Sequence, residues 1–97
     1  MSKAIKLVNE SGATSIHIDV RIEDNGDLLF SGQDIGEAPE EILGDSDYEY
    51  WLKVSAAKKD QLLLALIEKL YRGNASVVAE FRELLESKNI QFGWYSF

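Results

Sequence analysis

The sequence predicts an α+β fold in a single domain, residues 1–97: an antiparallel or mixed sheet of about five strands packed on one face by two helices from the C-terminal half. Three observations carry this expectation. Segments with a period of two cluster in the first half and segments with a helical period follow. A chain of 97 residues is long enough for one core. A hydrophobic content of 45% with 10% aromatic residues exceeds what a disordered acidic tail holds.

The elements follow in order. KAIKLV (3–8) reads as a first strand and NESGAT (9–14) as a turn. SIHIDVRIE (15–23) alternates, with Ile16, Ile18, Val20 and Ile22 on one face and Ser15, His17, Asp19, Arg21 and Glu23 on the other, as a half-buried strand does. DNGD (24–27) signals a hairpin because Asn and Gly tolerate positive φ, and LLFSG (28–32) returns as the partner strand. The two glycines of SGQDIG (31–36) predict a turn leaving that strand. APEEILG (38–44) reads as one helical turn, with Pro39 at its first position and Gly44 at its exit. YEYWLKV (48–54) is a further strand, with Tyr48, Tyr50, Leu52 and Val54 opposite Glu49, Trp51 and Lys53.

Ser55 is placed to cap a long helix that Gly73 ends, with Leu62, Leu63, Leu66, Ile67 and Leu70 at helical spacing. Asn74 or Ser76 starts a second helix with Val77, Val78, Phe81, Leu84 and Leu85 inward, and Asn89 suits a left-handed exit. IQFGWYSF (90–97) reads as a last strand.

Charge is distributed unevenly. The chain carries −7 overall, yet Ile22 to Leu52 holds ten Asp and Glu with no Lys or Arg, so the remainder carries +3. A pI near 4.6 argues against general nucleic-acid binding, which needs bases to displace counterions, and disfavours anionic membrane surfaces. The complement of such a chain is a basic partner. No cysteine is present, which removes disulfides and thiolate chemistry and fits a reducing, cytoplasmic compartment. The first residues show no apolar core of signal-peptide length, and LLLALI (62–67) is too short to span a membrane.

Catalytic motifs are weak. Ser15, His17 and Asp19 share one strand face at steps of about 7 Å, whereas a triad converges to roughly 3 Å. Asp45, Asp47 and Glu49 alternate as a calcium loop begins, but Tyr50 and Ala56 stand where Gly and the twelfth-position acid belong. A looser divalent site joined by Asp24 or Asp27, and paired carboxylates among Asp27, Asp34 and Glu37, remain as acid-based alternatives. Alternation sets Trp51 opposite Tyr48 and Tyr50; if that face is open, it is an exposed aromatic among acids, a combination that binding hot spots use.

Two resemblances arise from these residues. DLLFSGQDIG, GDSDYEYWLKV, LLLALIEKLYRG and FRELLESKNIQFGWYSF together look like a group of small stand-alone bacterial proteins, a likeness that spans most of the chain and carries no activity. The profile also resembles the immunity proteins of bacterial toxin systems, contact-dependent inhibition included. Those are small, acidic, cytosolic single-domain proteins that block a cognate, often basic, nuclease toxin. This likeness is one of class, without a shared motif, so it transfers no residue roles.

The first expectation is therefore a non-catalytic binding protein, without metal or cofactor, that neutralises a basic toxin such as a nuclease. Its partner-binding surface would comprise Asp34, Glu37, Glu40, Glu41, Asp45, Asp47, Glu49 and Trp51. The second is an acidic adaptor or regulatory domain that self-associates through an edge strand such as 90–97. The third, less favoured, is a divalent-metal-dependent enzyme using the acids.

Overall fold

A computed structural model describes residues 4–36 and 47–96. Among these residues the chain is α+β, with a four-stranded antiparallel sheet followed by two helices. The strands are β1 (Ala4–Glu10), β2 (Thr14–Ile22), β3 (Leu28–Gly36) and β4 (Asp47–Val54), ordered β1-β2-β3-β4 as a meander. A short 3-10 turn, Ala56–Lys58, leads into α1 (Lys59–Tyr71), and α2 (Val77–Ser87) follows. The chain divides into two compact units, Met1–Leu62 and Leu63–Phe97.

In the first unit, alternation sets the register. β2 pairs with β3 from Thr14 opposite Gly36 to Ile22 opposite Leu28, so Ile16, Ile18, Val20 and Ile22 share a face, as their period predicts. β1 pairs Lys6 with Asp19 and Val8 with Ile18, leaving Leu7 as an extra residue. This bulge absorbs a phase break in the sequence: Ile5 and Val8, three apart, both reach the apolar face, while Lys6 and Asn9 reach the polar one.

The β2–β3 hairpin closes through Glu23, whose N–H donates to the Asp27 carbonyl at 2.8 Å, and through Gly26, whose N–H donates to the Glu23 carbonyl at 2.8 Å. Of the Asn-Gly pair only Gly26 takes a positive φ, 93°, as in a three-residue hairpin loop.

Three sequence expectations are corrected. Residues 31–36 are not a turn but the second half of β3. Gly32 stays in the strand because the Tyr50 ring lies across it: a Cβ there would fall 2.0 Å from Tyr50 Cε2. Ser55 occupies the N-cap position, but its side chain makes no capping bond. Asp27 does so instead, its Oδ1 accepting the Ala56 N–H at 2.9 Å.

The fifth strand is the third correction, because residues 90–96 form none. Asn89, at φ 56°, ends α2 in the left-handed exit predicted for it, with the Ile90 N–H donating to the Leu85 carbonyl at 2.9 Å and the Asn89 N–H to the Glu86 carbonyl at 3.1 Å. Those two bonds make a Schellman motif, which redirects the chain after the helix. The predicted helical turn at 38–44 lies outside the described residues.

In the second unit, Tyr71 and Phe81 meet edge to face, with centroids 5.3 Å apart at 67°. Val77, Phe81 and Leu85, at i, i+4 and i+8, are the half-buried residues of α2. Of the two candidates for its start, Asn74 does the bonding: its Oδ1 accepts the Ser76 N–H and its Nδ2 donates to Glu80 Oε2, both at 2.8 Å. The Arg82 guanidinium lies 4.6 Å over the Trp94 ring.

Candidate functional site

Register across β2, β3 and β4 builds the candidate site on the polar face of the first unit. One row runs Trp51–Ser31–Asp19, and the row beside it runs Glu49–Gln33–His17. Small or neutral side chains on β3 thus separate an aromatic and a carboxylate on β4 from a carboxylate and an imidazole on β2. These six residues, with Gly32, line an open depression of about 220 Å³. Trp51 is 63% exposed, on the face opposite Tyr48 and Tyr50 as the alternation requires.

Charge on this face is graded along the strands. Asp47, opposite Ile35, continues the acidic side, and the Gln33 amide Nε2 donates to Asp47 Oδ1 at 3.2 Å. On the other side of Trp51 a row joins Arg21, Leu29 and Lys53. Lys53 Nζ lies 3.1 Å from Glu23 Oε1, so its charge is matched locally. Leu29, between two long basic side chains with aliphatic stems, is 7% exposed and is the buried hydrophobic residue among those described. Lys6 stands opposite Asp19 on β1.

The acids singled out in the sequence therefore divide. Asp47, Glu49 and Trp51 share the polar face. Asp34 is opposite Tyr48 on the other face, where the Tyr50 hydroxyl donates to its Oδ1 at 3.0 Å. Burial pushes the Tyr50 hydroxyl above its ordinary pKa of 10.0, and the Asp34 bond and charge act in the same direction. Glu37, Glu40, Glu41 and Asp45 lie outside the described residues. Two charged or titratable residues of the depression, Asp19 and His17 on β2, are absent from the binding set that the sequence suggests. Strand alternation carries a signal for them, but only the strand order brings β2 beside β4 through β3.

The arrangement sets limits on chemistry. Ser15, His17 and Asp19 remain side by side on β2, and no hydrogen bond joins any two of them. Asp27 and Asp34 stand seven residues apart along an extended chain, roughly 23 Å, which is too far for paired carboxylates. Among the described residues no three His, Asp or Glu side chains gather as metal ligands, and no helix is long and apolar enough to cross a membrane. No protein-family model, curated protein or solved structure matches this chain.

Proposed function

We propose that this chain is a non-catalytic binding protein that neutralises a basic protein partner, in the manner of an immunity protein against a toxin such as a nuclease. The observation that supports the reading is the exposed Trp51 beside Glu49, on a sheet face that also carries Asp47 and Asp19. An exposed indole supplies apolar anchoring area, and carboxylates around it steer a basic surface into place. A sheet face is also a rigid platform, so little ordering entropy opposes docking.

The test is capture from lysate of the source cells at low and high salt, using wild type, Trp51→Ala, and the Asp47→Asn/Glu49→Gln double variant. The reading expects one basic protein held by wild type, released by salt, and lost or weakened in both variants. It further expects the activity of that protein to fall when wild type is added back. Equal recovery by all three chains, or a partner whose activity is unchanged by wild type, would sink it.

A further inference from the structure

We infer that the depression between Trp51, Asp19 and Glu49 is a receptor for one guanidinium group, an arginine side chain presented by the basic partner. This rests on the reading of that face as a partner surface and goes further by specifying the group recognised. The row geometry sets Trp51 and Asp19 two strands apart, roughly 9.5 Å between backbones, and places Glu49 about 7 Å along β4 from Trp51. Ser31 and Gln33 occupy the floor between them. A planar cation seated over that floor has the indole on one side and a carboxylate within side-chain reach on each of two other sides.

Two properties favour a cation, and a third favours guanidinium over ammonium. No Lys or Arg lines the depression, so its charge is set by Asp19 and Glu49. Neither carboxylate has a hydrogen-bond or ion-pair partner among the described residues; of the nearby bases, Lys53 is paired with Glu23, Arg21 lies in the next row, and Lys6 stands opposite Asp19 on β1, on the side of β2 away from the depression. The aromatic wall is a flat, 63% exposed indole. A guanidinium stacks on such a face, sheds water more readily than an ammonium, and offers donors in a planar fork that can reach two acceptors together. An apolar groove along α2, lined by Val77, Phe81, Leu85, Phe92 and Trp94, also stands open, but nothing indicates what covers it.

The inference is tested on the full chain with N-acetyl-arginine amide, N-acetyl-lysine amide and N-acetyl-citrulline amide. The readout is the indole N–H resonance of Trp51, assigned by its loss in Trp51→Phe, with the backbone amides of Asp19, Ser31 and Glu49. Saturable shifts at these positions are expected with the arginine compound, about threefold weaker binding with the lysine compound, and none with the uncharged citrulline isostere. Trp51→Ala should weaken arginine binding about threefold, and Asp19→Asn or Glu49→Gln about twofold each. Equal binding of lysine, binding of citrulline, or shifts confined to other residues overturns the inference. The two proposals fail separately. Loss of the captured partner in Trp51→Ala without any arginine response at Trp51 would leave the surface standing and remove the guanidinium. An arginine response without inhibition of a captured partner would do the reverse.

Discussion

Asp27 Oδ1 accepts the backbone N–H of Ala56 at 2.9 Å, across 29 residues of sequence. The hairpin turn thereby caps the entry to α1. Asn25 holds the residue at two points: the Asp27 backbone N–H donates to Asn25 Oδ1 at 3.0 Å, and Asn25 Nδ2 donates to the carboxylate at Asp27 Oδ2, 3.2 Å away. Asp27→Ala should cost about 1 kcal/mol, read as a lower urea midpoint, as for other lost caps. Asp27→Asn keeps an acceptor and should recover most of that loss. Ser55→Ala, where no side-chain cap bond exists, should be close to neutral. A larger loss from Ser55→Ala than from Asp27→Ala would refute the assignment.

Gly32 and Tyr50 form one packing unit, and a side chain on the glycine must displace the ring. Gly32→Ala should destabilise by about 1–3 kcal/mol, as overpacking does. In a Tyr50→Ala background the same substitution should cost much less, so a double-mutant cycle should return a coupling of at least about 0.5 kcal/mol. Additive costs would show that the ring is not the obstacle.

Tyr50 also makes a prediction for alkaline pH. Its folded pKa lies above the unfolded value, so the neutral hydroxyl is the form the fold favours. That contribution is complete below about pH 10 and disappears as pH rises through the folded value. Denaturant titrations across this range should show wild type losing stability more steeply than Tyr50→Phe. Parallel curves would indicate that the Tyr50 hydroxyl titrates alike in the folded and unfolded chains.

Asn89 holds a left-handed conformation at φ 56°. Asn89→Gly should be neutral or mildly stabilising, and Asn89→Val should cost about 1–2 kcal/mol, because a branched Cβ disfavours that region. Thermal melts of the two variants, ranked against wild type, decide this; equal melting temperatures would contradict the strain argument.

Trp51→Ala should leave the unfolding free energy within about 0.5 kcal/mol of wild type, since the ring is 63% exposed. A large loss would mean that the ring belongs to the packing of the sheet and not to a partner surface.

Much of the sheet is legible in the chain, and the reasons for the exceptions are local. Strict alternation in residues 15–23 and the Asp-Asn-Gly-Asp turn specify β2 and its hairpin on their own. The second half of β3 is hidden because Gly32 and Gly36 resemble turn residues. One sits beneath a cross-strand tyrosine, and the other, at φ 130°, lies so close to the Ala13 carbonyl that a Cβ would stand 2.2 Å from its oxygen. Gly32 answers to a neighbouring strand and Gly36 to the residue that leads into one, information that sequence spacing does not contain.

The C-terminal segment shows the opposite error. IQFGWYSF has strand composition, yet composition does not supply a partner strand, and Trp94 meets Arg82 of α2 instead. The acidic span is visible as a count, but a count ignores parity along a strand. Asp34 and Glu49 fall on opposite faces, and Asp19, outside the span, joins the same depression as Glu49.

The meander order has a kinetic consequence. Each strand pairs with its neighbour in sequence, so the sheet can assemble by successive zippering without a long-range crossover. Short sequence separations shorten the search and favour rapid folding for a β-rich unit. The β2–β3 turn is the natural place for nucleation, and the Asp27 carboxylate that accepts from Asn25 Nδ2 within it also receives the Ala56 N–H. Turn formation and helix initiation would then be recorded by one side chain. Substitutions at Asp27 should slow refolding, whereas those at the Asn89 exit should act chiefly on the unfolding rate.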